Sequence, residues 1–105
     1  MAHFDYYTNT DKDTNTTYPF IVDVQDALLD GLNSRVVIPL ASLSNLEKSY
    51  PKNPCPEITL EGKEYSLLTH QMANVSTRTL SNCEGSLAHI RNEIISGIDF
   101  LIAGI

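Results

Sequence analysis

The chain has 105 residues, enough for one domain with one modest core, and without Trp and with only 8% aromatic residues that core must rest on Ile, Leu and Val. A net charge of −6, with seven Lys and Arg spread along the chain, excludes a basic face of the kind that grips a nucleic-acid backbone. No apolar run approaches a membrane span, and the opening Met-Ala-His-Phe-Asp-Tyr-Tyr has neither the basic nor the apolar region of a secretory leader; a cytoplasmic protein with free thiols at Cys55 and Cys83 is expected.

Residues 3–8 read as a first strand, followed by a polar stretch over 9–17 that has no apolar residue and reads as a long turn. The segment Tyr18-Pro19-Phe20-Ile21-Val22-Asp23-Val24-Gln25 alternates, with Phe20, Val22 and Val24 on one face and Asp23 and Gln25 on the other. Pro19 sits at the start of that strand, where a missing N–H is tolerated. Residues 26–33 hold Leu28, Leu29 and Leu32 but are broken by Gly31, so they form either an exposed loop with apolar tips or a loop folded back onto the core; the local sequence favours the second. Arg35-Val36-Val37-Ile38-Pro39-Leu40 is a strongly apolar strand. Its Pro39 cannot donate to a ladder and so places the strand at an edge, at a bulge or at its own end.

Residues 42–56 carry three prolines and read as a long loop, with room for a helical turn over 43–47. Residues 57–69 are the clearest hairpin, with Ile58 and Leu60 alternating on one arm, Tyr65 and Leu67 on the other, and Gly62 in the turn. A short turn over 70–74 and a strand over 75–80 follow. The last element is a helix that Ser86 can cap, with Leu87, Ile90, Ile94, Ile98 and Leu101 at spacings of three and four, Ile95 and Ile102 on an adjacent stripe, and Arg91, Asn92, Glu93 and Asp99 on the polar side. The final Phe-Leu-Ile-Ala-Gly-Ile is apolar where termini are usually polar, which suits docking onto a protein partner.

Patterns that carry catalysis are missing. His3, His70 and His89 have no metal-ligand spacing, no Gly-rich phosphate loop occurs, and neither the cysteines nor any Ser sits in a nucleophile elbow. No cofactor, metal or catalytic residue is expected. A symmetric homodimer is the expected assembly for a soluble chain of this size.

Three blocks resemble one family. Tyr18-Pro19-Phe20-Ile21-Val22-Asp23-Val24-Gln25, Arg35-Val36-Val37-Ile38-Pro39-Leu40-Ala41 and the terminal Ile98-Asp99-Phe100-Leu101-Ile102-Ala103-Gly104-Ile105 look like CcdB, the toxin of a bacterial toxin–antitoxin pair. Thr69-His70-Gln71-Met72-Ala73-Asn74-Val75 fits between them in order and spacing. The resemblance implies a single toxin domain over 1–105, mainly β with a C-terminal α-helix: an SH3-like antiparallel barrel of the CcdB/MazF-like toxin fold, with a small side sheet, assembled as a homodimer.

It also implies a non-enzymatic toxin that binds the A subunit of DNA gyrase and traps the cleaved gyrase–DNA complex. The poisoning contact falls on Ala103, Gly104 and Ile105, and further gyrase-binding residues on Asp26, Leu28, Leu29, Asp99 and Ile102. A CcdA-like antitoxin would neutralise it through a disordered tail that folds on binding. This chain departs from the best-known member, which is similar but carries Trp where Ala103 stands, Phe where Ile102 stands and Ser where Asp26 stands. The alternative reading is a MazF-like mRNA endoribonuclease, which would need basic and general-acid groups that this acidic chain offers sparsely. A non-toxic relative that still binds the antitoxin is the third.

Overall fold

The computed structural model describes residues 4–25, 34–43, 55–80 and 82–103. Among these residues seven strands and one α-helix follow in chain order. They are β1 (Asp5–Thr8), β2 (Phe20–Asp23), β3 (Ser34–Ser42), β4 (Glu57–Leu60), β5 (Lys63–Leu67), β6 (Ala73–Ser76), β7 (Cys83–Ser86) and α1 (Arg91–Ala103). All pairings are antiparallel. The sheet runs β4-β5-β3-β2-β1-β7, with β6 branching off β3, and it forms a half-barrel with the helix at its C-terminal end.

Strand β3 is not at an edge, at a bulge or at its end by Pro39, as the missing N–H suggested; it is the central strand. Along one side it pairs with β2, Phe20 opposite Leu40 through Asp23 opposite Val37. Along the other side its first half pairs with β6, ending at Val37 opposite Ala73, and its second half pairs with β5, beginning at Leu40 opposite Leu67. The Val36 carbonyl accepts from Val24 N on the β2 side, so by alternation residue 39 faces the other side. That is where β6 has ended and β5 has not begun. The Pro39 carbonyl is taken by Leu68 N at 3.0 Å, and the absent N–H breaks no ladder bond.

The main core lies on the face covered by the helix. Tyr6, Val22, Ile38, Leu40, Ile58, Tyr65 and Leu67 from the strands meet Phe4, Leu87 and Ile94, with Phe20 and Val24 packed beside them. The expected alternation of Phe20, Val22 and Val24 holds. Tyr6, Phe20 and Tyr65 form an edge-to-face row, with centroids 5.6 and 5.5 Å apart, a geometry that adds about 0.5–1.5 kcal/mol per pair. Gly85 lies opposite Tyr6 in the β1–β7 ladder, and a Cβ there would stand 3.0 Å from the Tyr6 ring, so glycine makes room for the aromatic. The opposite face carries a second cluster of Tyr7, Ile21, Val37 and Leu80, and a third joins Ala41, Cys55 and Leu68.

Among the described residues, two other than glycine have positive φ. Phe4, at φ +70°, is almost fully buried; its N–H donates to the Asp23 carbonyl and its own carbonyl accepts from Leu87 N, both at 2.7 Å. A bulky residue held there costs about 1–3 kcal/mol, which the two bonds and the burial offset. Glu61, at φ +52°, precedes Gly62 at φ +80° in the two-residue β4–β5 turn.

Several elements differ from the sequence reading. Strand β7 lies where no strand was expected, because Cys83–Ser86 lacks β-branched residues and is paired by β1 alone. The expected strand over 75–80 is instead β6, which starts earlier, followed by a 3-10 turn at Thr77–Thr79. The helical segment opens with a 3-10 turn at Ala88–Ile90, where the Ser86 hydroxyl accepts from Ala88 N, and becomes α-helical at Arg91. The helical turn expected over 43–47 lies, beyond Leu43, outside the described residues.

The hairpin turn gives a direct stability test. Both central positions need positive φ, which Asn-Gly supplies best. Glu61→Asn is expected to raise the unfolding free energy by up to about 1 kcal/mol in urea melts. Gly62→Ala, whose Cβ would meet nothing within 4 Å, is expected to lower it by about 1 kcal/mol through backbone strain alone.

Candidate functional site

Helix α1 presents a graded face. Along the expected stripe Leu87 and Ile94 are fully buried, Ile90 and Ile98 are half-buried, and Leu101 is 40% exposed. From Ile94 through Ile98 to Leu101 burial falls, so this stripe emerges from cover toward the last turn. Leu101 is the exposed large apolar side chain among the described residues. Asp99 is also exposed, two residues before it and so on a different side of the helix, with Ser96 a turn earlier. Ile102 and Ala103 close the helix; their side chains, and Gly104 and Ile105, lie outside the described residues. Gly97, which a helix tolerates at a cost of about 1 kcal/mol relative to Ala, is buried.

The second expected contact region is the β2–β3 connection. Asp26, Leu28 and Leu29 lie outside the described residues. Its two stems are bonded to each other. The β2–β3 register continues past Asp23 through Val24 N, which donates to the Val36 carbonyl at 3.0 Å. On the face away from the helix, Asp23 and Arg35 form an ion pair with side chains 0% and 1% exposed. Arg35 Nη2 lies 3.0 Å from Asp23 Oδ2, and Arg35 Nε donates to the same oxygen at 3.1 Å. Asp23 Oδ1 accepts from Gln25 N at 3.1 Å, Gln25 Oε1 accepts from Val36 N at 3.0 Å, and Arg35 Nη2 reaches the Gln25 carbonyl at 3.4 Å. Among the described residues no buried side-chain polar atom is left without a partner.

The sequence reading put Asp23 and Gln25 on the polar side of a half-buried strand. They are on that side, but buried. The signal was present in the sequence as Arg35, a lone cation heading an apolar strand, but nothing local pairs it with a carboxylate twelve residues away.

Other chemistry-bearing groups are apart from these. Burial pushes the Cys55 thiol up, against hydrogen bonds from Thr69 and His70 that pull it down. Its sulfur lies 3.5 Å from His70 Nδ1. Cys83 is exposed on β7, and both thiols are free. His70 and His89 are exposed, and His3 lies outside the described residues. Among the described residues no group of three or more His, Cys, Asp and Glu is placed to hold a metal ion. No described helix is long and apolar enough to cross a membrane.

A groove of about 450 Å³ opens on the face away from the helix, between the 9–17 turn and β6, with Tyr18, Ile21, Val37, Pro39 and Val75 in its floor and walls. Asn9 shapes its rim by donating to Tyr18 O at 2.8 Å and to Thr14 Oγ1 at 3.0 Å.

Residues 3–104 match the family described as CcdB protein. The chain belongs to the CcdB family. The match takes in all seven strands and the helix, so it is the whole fold that is shared and not one motif. CcdB proteins are toxins of toxin–antitoxin pairs, and this chain is therefore a toxin-family protein. The resemblance read from three sequence blocks and the family match agree, and the CcdB-like half-barrel with its C-terminal helix is the fold found.

Two chemical consequences can be measured. At neutral pH a thiol reagent is expected to label Cys83 rapidly and Cys55 only as the chain unfolds, so Cys83→Ser removes the fast phase. The Tyr7 phenol is pushed up to about 12 from its ordinary 10.0, first by burial and then by the Asp5 and Asp23 carboxylates, with Arg35 opposing. A raised folded-state value contributes stability that is complete below the unfolded value and lost as pH climbs to the folded one. Wild type is therefore expected to lose stability between pH 10 and about 12 in denaturant melts, and Tyr7→Phe to lose less over that window.

Proposed function

We propose that this CcdB-family chain is a non-catalytic poison of DNA gyrase. It binds the A subunit of gyrase and traps the cleaved gyrase–DNA complex, with Ala103, Gly104 and Ile105 making the poisoning contact and Asp26, Leu28, Leu29, Asp99 and Ile102 supporting binding. Family membership over residues 3–104 carries this reading. What supports the location is the outward turn of α1, where the exposed Leu101 and Asp99 stand next to the terminal residues. An apolar anchor with a charge at its rim is the usual anatomy of a protein interface. The net charge of −6 suits a toxin that reaches DNA through an enzyme and not by its own contacts.

The working form is a cytoplasmic homodimer held in check by a CcdA-like antitoxin. An antitoxin tail that is disordered until it binds loses its ordering entropy at that step, and in return can wrap an extended surface.

Expression without antitoxin is expected to kill a host with sensitive gyrase and to spare one whose gyrase is resistant. Removing Gly104 and Ile105 is expected to abolish killing while leaving the melting curve unchanged. Killing by that truncated chain, or equal killing of both hosts, defeats the reading, and sequence-specific cuts in RNA by the purified protein would replace it with the ribonuclease. The small Ala103 offers a partner little area, so Ala103→Trp is expected to tighten gyrase binding, by on the order of 2 kcal/mol where the indole finds a cation to cover.

A further inference from the structure

We propose that Glu61, Glu84 and the Tyr6 hydroxyl form a binding site for an organic cation, an ammonium or guanidinium group carried by a partner's Lys or Arg side chain or by a free polyamine. The site is independent of gyrase.

Three elements bring these groups together. Tyr6 stands on β1 and packs edge-to-face on Phe20, whose other side carries Tyr65. Tyr6 is 9% exposed, yet its hydroxyl has no hydrogen-bond partner among the described residues, so the tip of an otherwise buried side chain reaches the surface with its acceptor unused. That hydroxyl lies at the open edge of the sheet, 3.4 Å from where a Cβ of Gly85 would stand. Glu84 is next along β7, at a bulge: Gly85 is opposite Tyr6 and Cys83 opposite Tyr7, so Glu84 is the extra residue. A bulge re-aims the side chain it carries. Thr8 Oγ1 donates to Glu84 Oε2 and leaves Oε1 open. Glu61 comes from the β4–β5 turn, where it holds φ +52° although Asn suits that position better.

Both carboxylates act on the same phenol. The Tyr6 hydroxyl is raised above its ordinary 10.0, first by burial, then by Glu61 and Glu84 and more weakly by Cys83 and Tyr65, and no cation opposes them. Tyr7, one residue on, has Arg35 in that role. Glu61 and Glu84 are exposed and have no ion-pair partner among the described residues; Lys63, the nearest cation to Glu61 in the chain, pairs with neither. The site is thus a neutral phenol oxygen flanked by two unneutralised carboxylates. Hard metal ions call for about six or more oxygen ligands in a closed shell, which this set does not supply. An ammonium or guanidinium carries several N–H donors that carboxylate and phenol oxygens accept together, and its alkyl stem can lie against the aromatic row.

The experiment titrates the isotope-labelled full chain, at constant ionic strength, with N-acetyl-arginine amide, N-acetyl-lysine amide and spermidine. Amide shifts of Glu61, Gly62, Glu84 and Gly85 are followed by NMR, and melting temperatures are measured alongside. Expected is a saturable shift confined to these residues. Saturation by a capped amino acid identifies a partner's side chain as the source, and saturation by spermidine alone a free polyamine. Glu84→Gln and Glu61→Asn are each expected to weaken binding about tenfold, the loss of one charged hydrogen bond. Tyr6→Phe keeps the ring and is expected to weaken it about threefold. Glu61→Asn separates binding from folding, because it is expected to melt above wild type while binding more weakly. Shifts that stay linear, that sodium chloride reproduces or that Mg²⁺ alone saturates overturn the proposal, as does wild-type affinity in any of the three variants.

Discussion

Strand β3 is bonded along both sides for most of its length, and three of its neighbours take their place from it. On one side it lines up β2; on the other it carries β6 and then β5. The change of partner on that second side creates a short gap, and the gap falls at the residue without an N–H. Had Pro39 been one position earlier or later, it would have faced β2 and removed a bond from an unbroken ladder. The half-barrel therefore depends on a match between one proline and one break in strand pairing. From that match follow the position of the core under the helix and the separation of the two faces.

Much of this was legible in the sequence, because most of it is periodic. The alternation in residues 18–25 placed Phe20, Val22 and Val24 on the core face, and the 57–69 hairpin is where its pattern put it. The helix was read from three- and four-residue spacing, yet spacing could not show that Leu101 would emerge from cover while Ile94 stayed beneath it. Strand β7 was not legible, since its membership rests on β1 and not on its own residues. Pro39 was misread for a related reason. Its effect depends on what lies on each side of the strand, a matter of long-range pairing that local chemistry does not encode. Alternation gives the side of Asp23 and Gln25 but not their burial, because their partner Arg35 lies on the next strand. Of the proposed contact residues, Asp99 is exposed on α1, on the polar side that the helical spacing gave it, while Asp26, Leu28, Leu29, Gly104 and Ile105 lie outside the described residues, as do the side chains of Ile102 and Ala103.

The Asp23–Arg35–Gln25 network is buried, and among the described residues no buried side-chain polar atom lacks a partner. The buried thiol of Cys55 is pushed away from the reactive thiolate form by its surroundings. The exposed apolar feature, by contrast, stands at the end of the helix where a partner can cover it.

Phe4 ties these parts together in time as well as in space. Its N–H is held by Asp23, in the stem of the proposed contact segment, and its carbonyl by Leu87, just before the helix that carries the other proposed contact. Residues near the two ends of the chain must therefore meet before this strained backbone can be fixed, and closing so long a loop is entropically costly until the core rewards it. A nascent chain that has not yet supplied residue 87 lacks the donor that holds Phe4 in place. The two regions are thereby joined through one buried residue, so a change at Phe4 reaches both the end of β2 and the approach to the helix.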